Sequence, residues 1–290
     1  MRKILPFNID VIVKSYHHHA FSLGIISAHE KEYLNYVINN YNQLVWYDHL
    51  GEYNGYELNF DLPFFLYSDP FIREHLDHEL FEEVSNLSIC DFLIRSLLLN
   101  RYIYLCVDEF YLNKSINYNK EHCIHDLMIY GFDDMENIFF CAGYDKSLHY
   151  KDLQYTFEEI IKSKPQNIEL LKFNHINCQV NEKYLKQSIY DLIYPESYLI
   201  HESRKYEDNR IYGFDVFAKL KEYITQCKIN HKQFNIITFC LIKEFLSVIN
   251  LIIEKVSINY YYVLEKNYSL MDNIIQLTIK YNISCDSELL

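Results

Sequence analysis

Apolar positions change their spacing along this chain, and those changes mark its elements. ILPFNIDVIV, residues 4–13, reads as a short strand or an extended lead-in. From about His18 the spacing turns helical. Phe21, Ile25 and Ile26 and, beyond a charged turn, Tyr33, Leu34 and Val37 fall on one stripe, with Ser15 as a candidate N-cap. Residues 48–69 mix Gly51, Gly55 and Pro63 with aromatics, which predicts loop and strand. Ile72–Asn100 predicts helices, with Phe92, Leu93, Ser96 and Leu97 around one face.

A set of strands follows. Tyr102–Val107 is an unbroken apolar run, the pattern of a strand covered on both faces. Asp126–Tyr130 and Ile138–Ala142 predict a hairpin around Gly131-Phe132-Asp133-Asp134. Thr156–Ser163 predicts a short helix ended by Pro165, and 166–178 fits a returning strand. Beyond Asn181 the period is helical over 181–193, 213–228, 234–256 and 259–281. Strands in front and helices behind make an α+β chain. A boundary near residue 165 then separates an α+β domain, 1–165, from a mainly helical subdomain, 166–290.

Composition narrows the function classes. Half of the 290 residues are apolar, with 28 Tyr and 19 Phe, enough to bury a sizeable core. A net charge of −13 repels phosphate backbones, and there is no dense Lys/Arg cluster to offset it, so nucleic acid is not an expected partner. Arg95, Arg101, Lys114 and Lys120 could form a local basic patch; a solvated charged face is the plainer reading. Eight cysteines show no CxxC pairing, which suits a reducing, cytoplasmic setting. The most apolar region, Phe234–Leu264, is broken by Lys243, Glu244, Glu254 and Lys255, which argues against a bilayer span.

The candidate chemistry centres on His125, a histidine entering an apolar strand. LCVDEFYL, then NYNKEHCIHDLMIYGFDD, then IFFCAGYD resembles the N-terminal papain-like domain of the butirosin biosynthesis protein H family. RIYGFDVFAKLKEYI also looks like stand-alone members of that family. The resemblance implies a papain-like acyltransferase fold of natural-product biosynthesis. Its members move an acyl group from a carrier-protein thioester to an amine. An acyl carrier protein or thioester substrate is the partner it implies, and no cofactor or metal. His125 matches the family's base, and Asp108 and Gly131 match positions of architectural role.

Three positions depart from the family pattern. The nucleophilic cysteine would open the first long helix, and that place holds His17, with His18 next. The acid expected on the strand after the hairpin falls near Ala142 or Gly143, with Asp145 the nearest carboxylate. The oxyanion-donor slot holds Val11 or Ile12, not Gln. Cys123, two residues before His125, is too far along an extended strand for a direct thiol–imidazole hydrogen bond. His17-His18-His19 with His122 and His125 could bring imidazoles together for a metal, but neighbouring His on one helix do not share a face. Asp133-Asp134 and Glu136 lack calcium-loop spacing, and Asp108-Glu109 has no second acidic pair for glycosidase work. Two readings stand: an acyltransferase-type protein with a degenerate catalytic site at His125, His17 and Asp145, or a non-catalytic module that binds a carrier protein, peptide or small molecule.

Overall fold

The apolar run Tyr102–Val107 forms most of a strand whose residues Ile103–Asp108 pair antiparallel with Ile124–Ile129, and the buried stretch Leu127–Phe132 continues the second strand. A computed structural model describes residues 1–47, 57–62, 70–76, 87–176, 178–194, 210–255 and 261–284. Most of the loop and strand expected over 48–69, and Cys285, lie outside these residues.

The chain begins with strand β1 (Arg2–Ile4), helices α1 (His17–His29) and α2 (Tyr33–Asn40), and strands β2 (Leu44–Tyr47), β3 (Glu57–Phe60) and β4 (Phe71–Leu76). Helix α3 (Ile89–Leu98), strand β5 (Tyr102–Asp108) and a 3-10 turn, Glu109–Tyr111, follow. Next come β6 (Ile124–Asp133), β7 (Ile138–Tyr144), β8 (Tyr150–Thr156), α4 (Phe157–Lys162) and β9 (Gln166–Phe173). The remainder is α5 (Glu182–Ile193), β10 (Arg210–Tyr212), α6 (Asp215–Ile229), α7 (Ile236–Lys255) and α8 (Tyr261–Ser284). Mixed helices and antiparallel sheets make the fold α+β.

The chain folds as two compact units: residues 1–31 with 68–177, and residues 32–67 with 178–290. A single boundary near 165 therefore does not describe it. β9 pairs with both β4 and β5, which fastens 166–173 to the first unit. Residues 72–76, expected to be helical, lie in the edge strand β4, and the exposed Arg73 and Glu74 suit an edge.

The first unit is built on a sheet of order β4-β9-β5-β6-β7-β8, with β1 added on β6. β6 is long enough to pair with β5 over 124–129 and with β1 over 131–133. Gly131 is not in the hairpin turn, as expected from sequence, but inside β6. A Cβ there would meet the Lys3 carbonyl oxygen at 2.8 Å and Ile4 Cα at 3.0 Å, so glycine allows β1 to approach. The turn is 134–137, and Asn137 takes the positive φ of 53°. Helix α1 covers one face of the sheet, with Phe21 in ring contact with Tyr104 and Tyr150. On the other face Phe157 packs against Phe139. Thr156 and Glu159 form a capping box that starts α4.

The second unit is not wholly helical. β10, β2 and β3 form a three-stranded antiparallel sheet, with Trp46 of β2 fully buried. Trp46 meets Tyr223 of α6, and Phe60 of β3 meets Phe245 of α7. Asn39, at the end of α2, donates to the Gln179 carbonyl and accepts from Asn181 N–H, which ties α2 to the start of α5. By length and composition α7 could cross a membrane, with a mean hydropathy of 2.1, so Lys243 and Glu244 do not exclude a span by themselves. Its Phe239, Leu241, Ile242, Phe245, Val248 and Ile252 are buried, and the helix packs on α2, β3 and α8.

Candidate functional site

Helix α1 begins at His17, one residue earlier than its spacing predicts. Tyr16, not Ser15, occupies the N-cap position and makes no side-chain cap. This start lies against the start of β6. The His17 and His125 rings are 4.4 Å apart between centroids, at an interplanar angle of 48°. Phe21 stacks on His17 at 5.0 Å and Tyr144 of β7 lies at 4.8 Å. The Tyr144 hydroxyl donates to the Lys14 carbonyl, which holds the approach to α1 against the end of β7.

The two imidazoles have opposite electrostatics. His17 is only 6% exposed, and burial, helped by the neighbouring His125, lowers its pKa to about 3. It is therefore neutral at ordinary pH, and its buried Nε2 has no hydrogen-bond partner. His125 is half exposed, and its Nδ1 lies 3.0 Å from Glu109 Oε1. That carboxylate raises the His125 pKa against the opposing effect of burial.

Glu109 is the residue that sequence reasoning missed. Burial pushes its pKa up, but hydrogen bonds from His125, Ser115 and Asn117 outweigh that and lower it. Its Oε2 accepts from Ser115 Oγ at 2.8 Å and Asn117 Nδ2 at 2.6 Å. No signal in the sequence marked it: Val107 pairs with His125 in the sheet, and only that register brings a residue just past the end of β5 beside the imidazole. Asp145, the expected acid, is engaged elsewhere. Its carboxylate ion-pairs with Lys151 and accepts from the N–H groups of Ser147 and His149, which closes the β7–β8 turn and lowers its pKa to about 2.

The remaining candidates fall into structural places. Asp108 accepts from the N–H groups of Phe110 and Cys123, and pairs with His122 at 2.6 Å. His122 also stacks on Phe110 at 4.3 Å. It is therefore engaged with Asp108; of the other imidazoles, His17 meets His125, and His18 and His19 lie beside each other with ring centroids 4.0 Å apart. Burial, then the charges of Glu109, Glu121 and Asp108, raise the pKa of Cys123, which keeps that thiol protonated. Burial raises Cys106 likewise, and its thiol lies 3.4 Å from Asp126 Oδ1. Among the described residues, no group of three His, Cys, Asp or Glu side chains is placed to hold a metal ion.

This arrangement can hold and move one proton at His125 and can accept a hydrogen bond at His17. An activated thiolate is not part of it. No protein-family model matches the chain, and no curated protein matches it in sequence.

Proposed function

We propose that this chain is a papain-like acyltransferase-type protein of a natural-product pathway whose site has lost the covalent step. One observation carries the reading: an imidazole, His17, stands at the first residue of α1 against His125, where a papain-like enzyme carries its thiol. Nucleophilic strength falls with basicity, and a ring with a pKa near 3 is a poor acyl acceptor. The site then holds its acyl donor, a carrier protein or small thioester, without forming an acyl-enzyme. A purely binding role for a carrier protein, peptide or small molecule is the second reading. It is favoured by the same weak basicity of His17.

The test is intact-mass measurement after incubation with an acyl thioester of N-acetylcysteamine. The wild-type chain stays at its own mass, whereas His17→Cys gains the acyl group and loses that ability when His125→Ala is added. A wild-type adduct on His17 would show that covalent transfer survives. A His17→Cys chain no more reactive than wild type would remove the correspondence with the nucleophile position.

A further inference from the structure

The first turn of α1 carries no side-chain cap. The N–H groups of His19 and Ala20 donate to the Tyr16 carbonyl. Those of His17 and His18 have no acceptor among the described residues. A helix start of this kind carries partial positive charge and presents donors to an anion or a developing oxyanion.

Two independent features beside it point to a ligand. The buried His17 ring leaves Nε2 without a partner. His125, 4.4 Å away between ring centroids, has Nδ1 taken by Glu109, so Nε2 is the nitrogen left to meet a substrate. Glu109 is itself fixed by Ser115 and Asn117, which prevents the imidazole from turning.

We propose that this juxtaposition is a hydrolytic site for activated acyl compounds, esters and thioesters, in which water attacks directly with His125 as its base. The water oxygen bonds to the carbonyl carbon as its proton passes to His125 Nε2. The carbonyl oxygen becomes an oxyanion on the N–H groups of His17 and His18. Collapse breaks the bond from carbon to sulfur or oxygen, and the leaving thiolate or alkoxide takes the proton back from His125. A carboxylic acid and a thiol or alcohol leave, and the imidazole is neutral again. A single base and two amide donors suit activated acyl groups, because an amide would also need strong protonation of its leaving nitrogen.

The inference uses the residues of the preceding reading but not the kinship, so the two can fail separately. The His17→Cys adduct tests the kinship. Thiol release from the N-acetylcysteamine thioester, and phenolate release from para-nitrophenyl acetate, test hydrolysis by the full chain. Release above buffer is expected, slower in heavy water and reduced on the order of 100-fold in His125→Ala. Because His125 is half exposed the variant should fold, and the heavy-water effect on the wild type reports on the base without any substitution. No release above buffer, equal release by His125→Ala, or an acyl group retained on the protein would each overturn the proposal.

Discussion

Glu109 Oε1 lies 3.0 Å from His125 Nδ1, and the two residues come from different elements: the turn after β5 and the second residue of β6. The strand pairing of Val107 with His125 makes this contact. The carboxylate therefore sets both the tautomer and the basicity of the imidazole.

Replacing Glu109 with Gln should lower the His125 pKa, because the largest cause of its rise is that hydrogen bond and burial opposes it. Ring-proton NMR titration of the wild type and Glu109→Gln measures this. An unchanged His125 titration would mean that Glu109 does not hold the ring.

His17 should make stability depend on pH. Its folded pKa, about 3, lies below the ordinary 6.5, so its contribution is complete above pH 6.5 and is lost as pH falls toward 3. Each unit of difference corresponds to about 1.4 kcal/mol, so a loss on the order of a few kcal/mol is expected. Urea melts at several pH values should show His17→Leu losing less stability than wild type across that window. Parallel curves would contradict the assignment.

A thiol placed at position 17 should be unusually reactive. It would sit at a helix start beside an imidazole with a raised pKa, and both lower a thiol pKa below its usual ~8.5. The pH dependence of iodoacetamide alkylation of His17→Cys reads that value, and adding His125→Ala should bring it back up. Native Cys123 and Cys106, both raised, should alkylate slowly at neutral pH.

Gly131→Ala should cost about 1–3 kcal/mol, since the added methyl meets backbone atoms that cannot rotate away. Denaturant unfolding gives the loss. Hydrogen exchange at Leu5, whose N–H donates to the Tyr130 carbonyl, should quicken in the variant. Unaltered stability would mean that β1 does not press on β6 as closely as described.

What the sequence disclosed was mostly local. Local pattern located α4, the helices after Asn181 and the strand core, because propensity acts within a few residues, and the Thr156 cap of α4 emerged with the structure. Histidine at the start of a strand and at the start of a helix also identified the two rings that meet. The orienting acid was hidden, because it depends on which strand lies beside β6, a relation between residues 16 apart through a register. Asp145 misled for the same reason: proximity along the chain suggested the acid, while Lys151 and two N–H groups of its own turn had already claimed it. The unit boundaries were invisible since 32–67 carries no compositional mark separating it from what surrounds it.

Interleaving of the two units constrains how the chain can be made. On a ribosome, the first unit has all its residues once residue 177 has emerged, but β2 and β3 must wait for β10, more than a hundred residues behind them. During that interval the β2 edge that later receives β10 is open, and Trp46 lacks its Tyr223 neighbour. Slow translation beyond residue 177 would lengthen the exposure, and the nascent chain would be open to misassembly or chaperone capture at that hairpin and not at the site of His125.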